Sequence, residues 1–142
     1  MKRKLAYWII VVCFLPSLSL AATVTRILDG DTLEVTEDNK TLRVRLIDID
    51  APEKKQPYGQ KAKQFLTDFV RGADAVAVRG MGTDRYGRTL AQVYVKKCDS
   101  ECSSYLVNAE MVKNGYAWAY RYHNVPSSKA MEREENEARK NR

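Results

Sequence analysis

The sequence predicts an α+β domain in which strands dominate, with five strands and three packed helices in the order β-β-β-α-β-β-α-α. Two patterns support this prediction. Segments with alternating, often β-branched side chains occur before residue 50 and again after residue 73, and residues 58–71 change to helical spacing. The 142 residues allow one domain of ordinary size, and an apolar fraction of 44% excludes a chain that is disordered throughout.

The first three strands are predicted at residues 23–29, 32–35 and 41–49. The last of them alternates and is rich in branched side chains, as a half-buried strand is. Residues 38–40 (Asp-Asn-Lys) suit a hairpin turn, because Asp and Asn tolerate turn conformations. Pro52 ends the third strand.

The first helix is predicted from residue 58 to residue 71 because apolar side chains fall on one helical face. The members of this face are Ala62, Phe65, Leu66, Phe69 and Val70. Gly72 suits the residue that follows the end of the helix.

The remaining elements are two strands and two helices. The strands are expected at 73–80 and 88–95, joined by a turn at 84–87. The second helix is expected to begin at Ser103 or Ser104 and to end at Gly115, and the third to run from Ser127 or Ser128 to the C-terminus. Five strands in so small a domain favour a closed or partly closed barrel, and the five-stranded oligonucleotide-binding barrel (OB-fold) is the candidate.

The N-terminus has the three parts of a secretory signal. Lys2, Arg3 and Lys4 precede the apolar residues 5–15, and small residues follow. The apolar run is shorter than the roughly 20 residues that span a bilayer, which favours a cleaved signal over an uncleaved anchor. We therefore expect a signal peptide at residues 1–21, export to the periplasm or the medium, and a mature domain at 22–142 with no membrane attachment.

The charge of the predicted mature domain is modest. Three of the 24 basic residues and none of the 18 acidic residues lie in residues 1–21, so 21 basic and 18 acidic residues remain, a net charge of +3. Such a charge is compatible with a polyanionic partner without requiring one. The single histidine, His123, excludes paired-histidine chemistry and histidine-rich zinc sites. No feature indicates a protein partner, and a monomer is expected.

Two cysteines remain after residue 21, Cys98 and Cys102. In an oxidising compartment an even pair favours a disulfide over a redox site or a pair of zinc ligands. Zinc would require two further soft or imidazole ligands.

Charged residues occur where the predicted strands end. Asp31 follows a glycine at a strand start, Asp50 and Glu53 flank Ala51-Pro52, Arg45 lies on the strand that leads to Asp50, and Arg88 follows a turn. Each residue alone is more typical of a turn or a solvated strand than of a site. Together they could bind a hard cation through oxygen ligands, take a proton from water through Glu53, and bind a phosphate through two arginines. These parts suffice for phosphodiester hydrolysis.

Five segments resemble the staphylococcal nuclease (thermonuclease) family in the family's order. They are LDGDT (28–32), RLIDIDAPE (45–53), YGQKAKQFL (58–66), TDRYGRTLAQVY (83–94) and NAEMVKNGYAWAYRY (108–122). The resemblance implies an OB-fold and Ca²⁺-dependent hydrolysis of DNA and RNA with little sequence preference, leaving 3′-phosphate ends.

The same resemblance implies a role for each matched residue. Asp31, Asp50 and the main-chain carbonyl of Ala51 would bind Ca²⁺. Glu53 would be the general base, and Arg45 and Arg88 would bind the scissile phosphate. Tyr120 and Tyr122 would line the nucleotide site, although packing in the barrel is an equal alternative for Tyr122.

Two other hypotheses remain beside a secreted nuclease. A noncatalytic nucleic-acid-binding barrel would need the basic residues but not the three acidic ones, and an exported interaction module would bind no metal. The sequence also departs from the family's pattern. The loop at 54–57 is short, the region around the cysteine pair is expanded, and Asp48 has no assigned role.

Overall fold

The computed structural model describes residues 22–141. The predicted signal peptide therefore lies outside the described residues. The elements follow in chain order: β1 (Thr23–Asp29), β2 (Thr32–Glu37), β3 (Lys40–Leu46), β4 (Ile49–Asp50), α1 (Gly59–Arg71), β5 (Ala75–Thr83), β6 (Thr89–Cys98), β7 (Cys102–Leu106), α2 (Val107–Lys113), β8 (Trp118–Ala119), β9 (Arg121–Tyr122), β10 (Val125–Pro126) and α3 (Lys129–Lys140).

The main sheet has six strands in the order β1-β2-β3-β6-β5, with β7 paired to the far half of β6. All of its pairings are antiparallel except β3 with β6. The β2–β3 hairpin turns at Asp38 and Asn39, whose φ angles of 48° and 61° are the left-handed values that a tight hairpin needs. The mainly β, α+β class with three helices is thereby confirmed.

The closed five-stranded barrel is not confirmed, because the sheet is open between its edge strands. In the described residues β1 and β5 are joined by one bridge between Ala22 and Val76 rather than by a ladder. A cleft of about 530 Å³, lined by β1, the end of α1 and the start of β5, separates the rest of these two strands.

The expected helix start at Ser103 or Ser104 is wrong. These residues belong to β7, where Ser103 pairs with Lys97 and Ser104 with Lys96. Cys98 faces Cys102 at the end of the same ladder, and the two form a disulfide. β7 runs antiparallel to β6, so the backbones of both serines belong to this strand pairing. The helix α2 therefore begins only at Val107.

The core lies between the sheet and the three helices. Alternate residues of β2, β3 and β6 are buried, while α1 buries Ala62, Leu66 and Val70. The first turn of α1 approaches the β1–β2 turn so closely that a Cβ on Gly30 would lie 2.8 Å from the Cβ of Ala62. This contact fixes the start of α1 beside the loop that contains Asp31.

A buried carboxylate connects α3 to the rest of the fold. Glu135 is 5% exposed, and its side chain pairs with Arg121 of β9 at 2.8 Å and with Arg139 at 2.5 Å. It also accepts a hydrogen bond from the backbone nitrogen of Ala119 at 3.3 Å. Burial alone would raise the pKa of Glu135, but these hydrogen bonds and the two guanidinium groups lower it below its ordinary value.

We predict that Glu135→Gln lowers the free energy of unfolding at pH 7 by about 1–3 kcal/mol, because the buried charged hydrogen bonds are lost. A depressed folded pKa means that the ionised group stabilises the fold above its unfolded pKa, and that this contribution disappears as pH falls through the folded value. The difference between the two proteins should therefore vanish well below pH 4.5, the ordinary pKa of this carboxyl group.

Chemical denaturation from pH 7 to pH 3 measures the effect. Glu137→Gln is the matched control, because Glu137 is an exposed residue of the same helix that pairs with Lys140. The control should change stability by less than about 0.5 kcal/mol. Equal losses in the two variants, or a loss at Glu135 that does not decrease as the pH is lowered, would contradict the assignment.

Candidate active site

The carboxylate of Asp31 is held in the turn between β1 and β2. It is buried, with Oδ1 accepting from Thr32 Oγ1 at 2.8 Å and Oδ2 accepting from the backbone nitrogen of Ala51 at 3.3 Å. The carbonyl of Asp31 accepts from the nitrogen of Leu46 at 2.8 Å, which fixes the turn to the end of β3. The backbone nitrogen of Ala51 is thus brought beside Asp31.

Arg45 lies between the two predicted metal ligands. Its Nη2 atom is 2.9 Å from Asp50 Oδ1 and 3.4 Å from Asp31 Oδ2. Its Nη1 atom donates to the carbonyls of Leu46 and Ile49. A single guanidinium group therefore holds two carboxylates from different segments in one place, with five donors in a rigid plane that suits such a task.

The pKa of Asp50 is raised above its ordinary value. Burial is the main cause, and the neighbouring charge and hydrogen bonding of Asp31 act in the same direction, while Arg45 opposes them. Two carboxylates that share one arginine remain an acidic site, and a divalent cation beside them would favour their ionised forms.

The donor set fits a hard cation. Asp31 and Asp50 would supply carboxylate oxygens and Ala51 a carbonyl, and water would complete the ligands, as Ca²⁺ accepts in irregular geometry. Within residues 22–141 no group of three or more His, Cys, Asp or Glu side chains forms a metal cluster.

Arg88 is positioned by the turn between β5 and β6. Asp84 Oδ1 accepts from the nitrogens of Tyr86 and Arg88, and Asp84 Oδ2 accepts from Arg88 Nε at 2.7 Å. These interactions with Arg88 and Tyr86 lower the pKa of Asp84 despite the opposing effect of desolvation. Because Asp84 binds Nε, the terminal nitrogens of Arg88 have no carboxylate partner among the described residues.

Arg45 and Arg88 line one open cavity of about 650 Å³, which we call the phosphate cavity. Its other polar and aromatic lining residues include Asp48, Tyr86, Tyr120 and Ser127. The structure thus brings together Arg45, Arg88 and Tyr120 in the cavity, with Asp31 and Asp50 joined to it through Arg45.

Glu53 and Tyr122 lie outside the lining of this cavity, as do Asp31, Asp50 and Ala51. Glu53 is exposed, with its backbone nitrogen bound to Gln56 Oε1 at 2.8 Å. Tyr122 is 68% exposed and meets the ring of His123 edge to face. Since Tyr122 is so exposed, barrel packing does not describe its position.

The structure supplies the missing role of Asp48. This residue has a φ of 66°, a left-handed conformation that Asp tolerates better than most residues. Its carbonyl accepts from the nitrogen of Tyr120 at 2.9 Å, and Oδ1 accepts from Ser127 Oγ at 2.7 Å. Asp48 therefore holds Tyr120 against the cavity. The predicted continuous strand at 41–49 is wrong here, because the structure divides it into β3 and β4 with a turn at Asp48, a residue type that turns favour.

Asn108 is a second positioning residue that the sequence analysis missed. It is 1% exposed, and its amide nitrogen donates to the carbonyls of Ile47 and Ala91 while its oxygen accepts from the nitrogen of Val93. This side chain joins α2 and β6 to the segment that leads into Asp48 and Asp50. A buried amide that depends on three distant partners gives no local signal.

The disulfide closes the β6–β7 hairpin and makes no direct part of the cavity lining. The backbone nitrogen of Cys98 donates to Asp74 Oδ2 at 2.6 Å. In the part of the chain that the structure describes, no helix has the length and apolar character needed to cross a membrane.

The chain is similar to one family model and to several known proteins. The family model of the staphylococcal nuclease homologue matches residues 43–142. The chain is 47% identical over 122 residues to Protein ParB of Escherichia coli, covering 84% of this chain and 68% of that protein. It is 41% identical over 143 residues to a micrococcal nuclease of Shigella flexneri, covering 99% and 82%. An uncharacterized endonuclease of Haemophilus influenzae is 50% identical over 99 residues, covering 69% and 51%.

We predict that Asp48→Ala lowers the free energy of unfolding by about 2–3 kcal/mol, because it removes an acceptor and places a Cβ-bearing residue without a polar side chain at positive φ. Asp48→Asn retains an acceptor and tolerates this conformation, so its loss should stay below about 1 kcal/mol. Thermal unfolding of both variants measures the difference. Equal destabilisation by Asn and Ala would show that the Ser127 hydrogen bond and the backbone conformation do not matter.

Proposed function

The chain belongs to the staphylococcal nuclease family, and on that premise we propose that it is a Ca²⁺-dependent nuclease acting on DNA and RNA. We propose that it hydrolyses phosphodiester bonds with little sequence preference and leaves 3′-phosphate ends. The observation that supports this most strongly is the Arg45 guanidinium, which pairs with both Asp31 and Asp50 and also lines the phosphate cavity with Arg88.

The combination of charges favours hydrolysis over simple binding. A protein that only binds nucleic acid gains from arginines, whereas carboxylates at the same place repel the phosphates. Acidic groups beside an anionic substrate are consistent with a cation between the two. Asp31, Asp50 and the carbonyl of Ala51 would hold Ca²⁺, which when bound supplies Lewis acidity toward the phosphoryl oxygen and the water.

The arginines would bind and stabilise the reacting phosphate. Arg88 has terminal nitrogens that no described carboxylate occupies, and Arg45 is fixed by four acceptors. Arg88 can donate its terminal N–H groups to phosphate oxygens and Arg45 its remaining Nε–H, and the charge of these oxygens increases as water attacks phosphorus. Because the guanidinium groups are held in place before substrate binds, little reorganisation opposes this stabilisation.

Glu53 would act as the general base that takes a proton from the attacking water. Its exposed carboxylate can accept a proton from the attacking water as the oxygen of that water bonds to phosphorus. The bond from phosphorus to the 5′-oxygen breaks, the 5′-oxygen takes a proton from solvent water, and the phosphate stays on the 3′-oxygen. Tyr120 faces the same cavity, and the exposed ring of Tyr122 can stack on a base, an interaction worth about 1–3 kcal/mol per base.

Export is part of the proposal. Residues 1–21 would direct the chain to the periplasm or the medium, where a disulfide between Cys98 and Cys102 is stable. The mature domain would act there as a monomer without membrane attachment.

Calcium binding can be tested without activity. With Ca²⁺ at about ten times its dissociation constant, binding to the folded protein adds about 1.4 kcal/mol of stability, which is a rise in Tm of about 3–6 °C. Asp50→Asn should lose this rise, because it removes a ligand. Asp68→Asn, at an exposed carboxylate of α1, is the control and should keep it. An equal Ca²⁺ effect in both variants would place the ion elsewhere.

The activity itself is tested with single-stranded DNA and RNA in Ca²⁺ and in excess chelator. We expect degradation in Ca²⁺ alone, and Glu53→Gln should lower turnover by about 10²–10⁴-fold while affinity changes little. The control is Glu101→Gln, an exposed carboxylate of the β6–β7 hairpin. Binding without degradation by the unaltered chain would support the noncatalytic alternative, and degradation in chelator would exclude the proposed role of Ca²⁺.

A further inference from the structure

A second depression lies beside the candidate active site, and the proposed hydrolysis does not use it. It has a volume of about 840 Å³, and its lining includes Pro52, Tyr58, Lys61, Tyr116 and Trp118. We call it the aromatic groove. Two of its rings are open to solvent, since Tyr58 is 68% and Trp118 is 40% exposed. Lys61 Nζ lies 4.8 Å from the centre of the Tyr58 ring.

The position of Tyr58 is set by the backbone rather than by packing of its ring. Tyr58 precedes α1 in a left-handed conformation with φ of 65°. The next residue, Gly59, lies so close to the carbonyl of Glu53 that an added Cβ would be 1.9 Å from that oxygen. A bulky aromatic side chain at positive φ is unfavourable, and here its ring is not buried in return. Residues held in such unfavourable backbone conformations concentrate at functional sites.

The aromatic groove is continuous with the candidate active site. Trp118 of β8 pairs with Asp50 of β4, and Pro52 follows two residues after Asp50. The same pair of short strands reaches the phosphate cavity, which is lined by Ile49 and by Tyr120. Trp118 and Tyr120 are two residues apart along the chain, so roughly 7 Å of extended backbone separates them. This is close to the distance between neighbouring nucleotides in an extended single strand.

The chemistry of the groove suits an unpaired base. Exposed Tyr and Trp rings provide stacking surfaces, and Lys61 provides a positive charge for a backbone phosphate. Stacking accepts every base, so the groove would add affinity without adding sequence preference. A base within a duplex is already stacked on its neighbours and cannot enter.

We propose that the aromatic groove is a second nucleotide subsite, which stacks the unpaired base adjacent to the nucleotide held in the phosphate cavity. This proposal rests on the proposed nuclease function and names the substrate form that the same site favours, a single-stranded segment of two or more nucleotides. Tyr58 and Trp118 contact the base, and Lys61 contacts the backbone.

Trp118 itself can report on occupancy. The sequence has two tryptophans, Trp8 and Trp118, so the full chain carrying Trp8→Phe has a single tryptophan in the groove. Octathymidylate, mixed with the protein and Ca²⁺ and read in a stopped-flow instrument before it is hydrolysed, should quench the fluorescence of Trp118. Thymidine 3′-phosphate, whose one base is taken by the phosphate cavity, should quench it much less.

Tyr58→Asn tests the stacking, because Asn tolerates positive φ and lacks the ring. Its affinity for octathymidylate should fall by about 5- to 100-fold more than its affinity for thymidine 3′-phosphate. Tyr105→Asn removes a partly exposed ring from β7, away from both depressions, and should change neither affinity.

Lys61→Gln tests the contact with the backbone phosphate. It should reduce the slope of log affinity for the octamer against log salt by about 0.7.

The outcomes separate this proposal from the proposed function. If the unaltered chain degrades nucleic acid but Trp118 responds equally to both ligands and Tyr58→Asn matches Tyr105→Asn, the groove is not a subsite and the nuclease function stands. If octathymidylate quenches Trp118 and the variants behave as expected but no degradation occurs in Ca²⁺, the groove binds nucleic acid and the catalytic proposal fails. Should Tyr58→Asn not fold, the fluorescence comparison and the Lys61→Gln salt slope still decide the question.

Discussion

One arginine side chain pairs with two carboxylates where three segments of the chain meet. Arg45 lies near the end of β3, Asp31 lies in the β1–β2 turn, and Asp50 ends β4, and these residues are joined by contacts of 2.9 and 3.4 Å. Without the guanidinium, the two acidic groups would repel each other in a partly buried setting, where repulsion is stronger than in water. Burial, together with the neighbouring Asp31, raises the pKa of Asp50, and Arg45 opposes this effect. The rest of the site is arranged around this charge balance.

The surrounding fold acts by holding short, weakly structured segments in place. β4 and β8 have two residues each and could not persist alone, because an isolated pair of strands is at best marginally stable. Asn108 fixes the approach to β4 from α2, and Glu135 fixes β8 and β9 from α3. Asp48 connects the segment before β4 to the segment that follows β8, because its carbonyl accepts from the nitrogen of Tyr120 and its carboxylate accepts from Ser127 Oγ. The helices therefore contribute to function through position, although none of these three residues is proposed to touch the reacting phosphate.

The sequence predicted those parts of the fold that depend on local patterns. The apolar face of α1, the β2–β3 turn and the Asp84–Gly87 turn were identified from neighbouring residues alone, and the structure has each of them. β7 was missed because its strand pairing depends on the hairpin closed by Cys98 and Cys102, which overrides the serine capping signal. The residues of the candidate active site also form two groups, those with a local sequence signal and those without one. Asp31, Arg45, Asp50 and Arg88 stand at strand ends or beside a turn, whereas Asp48 and Asn108 act through distant partners that no single segment reveals.

The central claim is that the Arg45 guanidinium organises both carboxylates and the reacting phosphate, and Arg45→Lys tests it most directly. A lysine keeps the charge but cannot span two carboxylates and two carbonyls with one rigid plane. The decisive measurement is the turnover of single-stranded DNA at saturating Ca²⁺, with Arg43→Lys on the exposed face of the same strand as the matched control. The account predicts a loss of about 10²–10³-fold for Arg45→Lys and little change for Arg43→Lys. Turnover by Arg45→Lys equal to that of the unaltered chain would contradict it.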